Sequence, residues 1–202
     1  MRKLLLILAI LLPTIARAGD FIKIAEYSNG GETYDITADA PNKKGKFTIF
    51  LYVRSHTSGG CCLEIDSKNI DKFHDALLKV KEKYVEWDSI AKENRVGSFK
   101  KTIDIQTPEM WVSWYYGDKW WDSNYKYWFK PYFSYLESKK GEEEMDFVYY
   151  EFKVPSDNRF IESDAVLIFV SPDEIDNLAN VLNYEKLLES ARKVHSKADL
   201  FK

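Results

Sequence analysis

Apolar residues recur along this chain in two rhythms, one that suits strands and one that suits helices. Over 46–54 they alternate. Phe47, Ile49, Leu51 and Val53 fall on one face, and Lys46, Thr48, Tyr52 and Arg54 on the other. Only Phe50 breaks the polar face, which is the pattern of a half-buried antiparallel strand. Shorter strands are predicted over 21–27, 33–38 and 61–65. Ser28-Asn29-Gly30-Gly31 joins the first two as a hairpin turn of residues that tolerate positive φ. Ile70, Phe73, Leu77, Val80, Tyr84 and Trp87 then recur at spacings of three and four. That is one stripe of a helix, predicted over 68–94 with Asp66 or Ser67 as N-cap and Gly97 as its stop.

The second half repeats these rhythms. Strands are predicted over 99–105, 127–136 and 145–154, the last with Val148, Tyr150, Phe152 and Val154 on one face. The run Ala165 to Val170 is apolar throughout, which suits a central strand covered on both sides. Ser171-Pro172-Asp173-Glu174 combines an N-cap serine, a proline at the first helical position and a glutamate three residues after the cap. It predicts a helix running to about 196. The expected fold is α+β: a mainly antiparallel sheet of about eight strands with two amphipathic helices on one face. Ile49, Leu51, Leu77, Val80, Leu167 and Leu182 are its expected core. Each helix follows a short apolar strand and opens alike, Ile70-Asp71 and Ile175-Asp176. This pattern suggests a duplicated strand–strand–strand–helix unit, with halves 19–97 and 98–202 in one globular domain. A shared helix-entry pattern without duplication would look the same.

The chain opens on a different pattern. Arg2 and Lys3 precede an apolar run from Leu4 to Leu12, Pro13 breaks it, and Ala16-Arg17-Ala18 presents small residues at an A-x-A cleavage site. This order predicts a secretory signal peptide over 1–18 and a secreted or periplasmic mature protein starting near Gly19. The run is about half a bilayer span, so stable membrane insertion is not expected. Cleavage removes three positive charges and takes the net charge from −3 to −6. An acidic chain is a poor partner for nucleic acid, which calls for a basic face.

The two cysteines, Cys61 and Cys62, are adjacent. In a strand their side chains point to opposite faces, and neighbouring Cα atoms about 3.8 Å apart do not suit ordinary disulfide geometry. The pair admits three readings: two packed thiols, a strained vicinal disulfide with a redox role, or a bridge to another chain. The three histidines, His56, His74 and His195, lie far apart. No G-x-S-x-G, P-loop, dinucleotide glycine fingerprint or H-E-x-x-H occurs. No metal site and no cofactor is expected.

The densest feature is 111–135, with thirteen aromatic residues in 25 and five of the six tryptophans. A strand through it carries rings on both faces, so one face needs a cover other than the helices. The candidate ligand-binding set is Trp111, Trp114, Tyr116, Asp118, Trp120, Trp121, Asp122 and Trp128. Ring faces stack on sugar rings while carboxylates take hydroxyl hydrogen bonds, and large rings with a polar handle also dominate protein interfaces. The same rings equally serve as plain core. The favoured function is a non-enzymatic binding module with a protein or glycan partner. The alternatives are an extracytoplasmic glycan hydrolase using Asp118 or Asp122, and a homo-oligomeric structural protein paired through the rings.

Overall fold

The first hairpin forms where two glycines allow it. The computed structural model describes residues 21–56, 59–137, 145–158 and 160–198; the signal-peptide pattern lies outside them. Strand β1 (Ile22–Asn29) pairs antiparallel with β2 (Glu32–Ala38), ending on the pair Asn29 and Glu32. The connecting Gly30 and Gly31 have φ of 59° and 78°. Two successive positive φ values are what a tight type I′ turn requires.

Strand β3 (Thr48–Ser55) buries Ile49, Leu51 and Val53, with Phe47 just before it, as the alternation predicts, and pairs with β4 (Cys61–Asp66). Phe50, the apolar residue on the outer face, is covered by Phe21 with ring centroids 4.4 Å apart. A 3-10 turn at Ser67–Asn69 separates β4 from helix α1 (Ile70–Asn94). The helix therefore starts later than predicted, and neither Asp66 nor Ser67 caps it. Each has another partner: the Asp66 carboxylate takes Lys126 Nζ at 2.6 Å, and Ser67 Oγ accepts the Phe47 N–H at 3.3 Å. The helix ends at Arg95, in the left-handed region at φ 48°, two residues before Gly97. Its predicted stripe is buried from Ile70 to Tyr84.

After α1 come β5 (Phe99–Thr102), the hairpin β6 (Trp111–Tyr116) and β7 (Lys119–Asp122), then β8 (Tyr132–Leu136), β9 (Met145–Phe152) and β10 (Ala165–Phe169). Two predicted strands are shorter than expected. The chain leaves β5 at Ile103, whose N–H bonds Pro131 O. β8 starts only after Pro131, because residues 127 and 129 pair with 110 and 107 instead, and proline cannot donate to a ladder. The predicted second helix is broken, which makes three helices among the described residues instead of two. Helix α2 (Pro172–Val181) stops at Leu182, and α3 (Tyr184–Ala198) restarts behind Asn183, whose Oδ1 accepts the Lys186 N–H at 3.0 Å. At the start of α2 Ser171 makes no side-chain cap. Glu174 carries the cap, accepting the N–H groups of Val170 at 2.9 Å and Gly30 at 2.8 Å.

The strands form a mixed-order antiparallel sheet, β5-β8-β9-β10-β3-β4-β6-β7, with the β1–β2 hairpin joined to β3. β10 is central, and β2 shares with it one edge of β3. The six expected core residues are all buried, and rings from both halves meet, Phe73 with Tyr150 and Tyr84 with Phe133. A duplicated unit is not shown: α1 is one helix of 25 residues, whereas its counterpart is two, of 10 and 15. Among the described residues no helix is long and apolar enough to cross a membrane.

Two side chains carry testable consequences for stability. Tyr150 is fully buried and its hydroxyl finds no hydrogen-bond partner among the described residues. A buried unpaired polar group costs about 1–3 kcal/mol. Tyr150→Phe is therefore expected to raise the urea midpoint, by about 1 kcal/mol in unfolding free energy.

Asp146 lies beside Asp88 and 3.9 Å from Lys92. Burial first, and then the charge of Asp88, raise its pKa above the ordinary carboxylate value. A carboxyl with a raised folded pKa contributes its stability below the unfolded value, about 3.9, and loses it as pH rises through the folded one. Asp146→Asn should thus melt higher than the parent at pH 7. The gap should shrink as the pH falls toward 4, as thermal scans at the two pH values will read.

Candidate ligand-binding face

Strand parity and ladder register sort the aromatic block. On β6, Val112 and Trp114 point into the core and are buried. Trp111, Ser113 and Tyr115 therefore point to the opposite face, away from the core. Register adds their neighbours. Trp111 pairs with Glu64 and Ser113 with both Cys62 and Asp122, while Tyr115 pairs with Trp120. Directly opposed residues share a face. Three half-buried rings, Trp111, Tyr115 and Trp120, thus surround a polar centre.

That centre is hydrogen-bonded. Ser113 Oγ donates to Glu64 Oε1 and, at 2.8 Å, to Asp122 Oδ1. Ser113 is 1% exposed, and its one hydroxyl proton serves two carboxylates. Tyr115 and Trp120 meet edge to face at 6.0 Å. The glycines before β4 back them. A Cβ at Gly59 would stand 3.3 Å from Tyr115 Cδ1, one at Gly60 would stand 3.7 Å from Trp120, and Tyr115 N–H bonds Gly60 O at 2.9 Å.

The eight residues singled out by sequence do not form one site. Trp111, Trp120 and Asp122 come together on the outer face. Trp114 packs in the core at 1% exposure, on the inward row of Val53, Cys61 and Trp121. Trp121 faces that way too. Its Nε1 donates to Tyr116 O at 3.2 Å, and Lys119 Nζ sits 3.9 Å over its ring. Tyr116 and Asp118 stand exposed at the hairpin tip. Trp128, half exposed, lines a separate shallow depression of about 410 Å³ with Tyr132, Glu151, Lys130 and Lys153. Sequence reasoning missed Glu64, Ser113 and Tyr115. The parity of Ser113 and Tyr115 with Trp111 was the available signal; for Glu64 there was none.

The cysteines obey parity as well. Cys61 faces inward and Cys62 outward, both are buried, and among the described residues neither forms a disulfide. Burial, and then the charge of Asp164, hold the Cys61 pKa well above its usual range. A reactive thiol needs the thiolate, and burial disfavours it at Cys61. Of the histidines, His195 is buried, with Nε2 3.1 Å from Ala38 O, which ties α3 to β2. Among the described residues no three His, Cys, Asp or Glu side chains are grouped to hold a metal ion. The glutamates at 142–144 lie outside the described residues.

No family model, curated protein or solved structure matches the chain.

Proposed function

We propose that this protein is a secreted or periplasmic, non-enzymatic binding module that holds a neutral glycan on the outer face of β4, β6 and β7. One observation carries the reading: three half-buried rings flank a pair of carboxylates linked by Ser113 on a single face of the sheet. Flat rings suit the C–H faces of sugars, and carboxylates accept from sugar hydroxyls. A carboxylate offers about four acceptor positions, and Asp122 is exposed. Two negative charges at the centre disfavour acidic sugars. The charge–apolar–small pattern over 1–18 supports an extracytoplasmic site of action.

Two features favour binding over hydrolysis. Ser113 is too buried to attack a substrate. A glycosidase holds its carboxyls on both sides of the scissile bond, whereas Glu64 and Asp122 rise from one surface. Native gels cast with soluble neutral polysaccharides (hydroxyethyl cellulose, xylan, galactomannan) test the reading. The mature protein should be retarded by at least one of them and not by polygalacturonate. Retardation by the polyanion alone, or by none, would overturn it.

A further inference from the structure

We infer that the ligand of this face is a linear glycan of three or more rings lying along β6; this rests on the glycan reading above. Trp111, Ser113 and Tyr115 occupy positions i, i+2 and i+4 of one strand. At about 3.3 Å per residue, Trp111 and Tyr115 stand about 13 Å apart, with Ser113 midway. A six-membered ring of bonds near 1.5 Å is about 3 Å from C1 to C4, so each linked ring advances roughly 5 Å with its bridging oxygen. One ring cannot touch both platforms, and three span them. The register fixes the roles. Tyr115 with Trp120 stacks one end of the segment, and Trp111 stacks the other. Glu64 and Asp122, joined by Ser113, take the hydroxyls of the ring between.

The carboxylates sit between the stacking rings, so the order along the strand is aromatic, acidic, aromatic. A single-sugar site would instead gather its stacking ring and its acceptors around one point.

The test is a calorimetric titration of the mature protein with cello-, xylo- and manno-oligosaccharides of one to six units. In the series that binds, affinity should climb at least tenfold from one to three units and then level off. Trp111→Ala should reduce the hexamer to the affinity of the dimer, and Trp111→Phe should recover most of the loss. Affinity independent of length in a series that binds would overturn the chain inference and leave the glycan reading standing. No binding at any length in all three series would overturn both. The length series on the unmodified protein needs no variant to fold.

Discussion

Phe133→Ala is expected to cost about 3–5 kcal/mol of unfolding free energy, the range for removing a buried phenylalanine. Phe133 is fully buried on β8, and three rings from two elements converge on it. Tyr84 and Trp87 of α1 meet it edge-on at 5.8 and 5.9 Å, and Phe99 of β5 lies at 5.6 Å. α1 packs there, and among the described strands β5 is an edge strand paired with β8. Truncation would leave a cavity bordered by large rigid rings, which collapse poorly into empty space. Domains of this size are stable by only about 5–15 kcal/mol, so much of the margin would go. Urea denaturation of parent and variant reads the loss. A difference below 1 kcal/mol would mean that the α1–β8 contact does not anchor this end of the sheet.

Trp120→Ala is expected to weaken glycan binding tenfold to a hundredfold, on the order of 1–3 kcal/mol, with little change in melting temperature. Trp120 is half-buried on β7, an edge strand, and its ring lies against Tyr115 and Gly60 rather than in the core. Removing it takes away a stacking surface and leaves the inward row of Val53, Cys61, Trp114 and Trp121 in place. Trp114→Ala is its contrast. That change should unfold or strongly destabilise the protein, because Trp114 is among the largest fully buried side chains. Calorimetry of the two variants, each paired with a thermal melt, separates the roles. A Trp120→Ala protein that binds as the parent does would remove Trp120 from the site.

How far the sequence could be followed depended on the range of each interaction. The alternation of β3 and the stripe of α1 were legible because one face of each is buried, and burial imposes period two or period 3.6. The ends were less so. Residues 182 and 183 interrupt a stripe whose apolar members, Leu178, Leu182, Leu187 and Leu188, run on across the break. Asn183 is a good N-cap, and that was the local sign of a restart. Pro131 likewise marked where β8 has to begin. The candidate site was legible as residue types and not as a place. Parity alone separates Trp111 from Trp114. The arrival of Glu64 beside Ser113 depends on β4 pairing with β6, 49 positions apart, and a local pattern does not specify such a register.

Indole N–H chemical shifts of the ¹⁵N-labelled protein, followed while a neutral hexasaccharide is added, test the central claim most directly. Six tryptophans give six resonances, each assigned by its own Trp→Phe variant. The expected result is that Trp111 and Trp120 move and saturate together, while Trp87, Trp114, Trp121 and Trp128 stay in place. Movement of Trp128 alone, or of the buried Trp114 with Trp111 and Trp120 unmoved, would contradict a binding face on β4, β6 and β7.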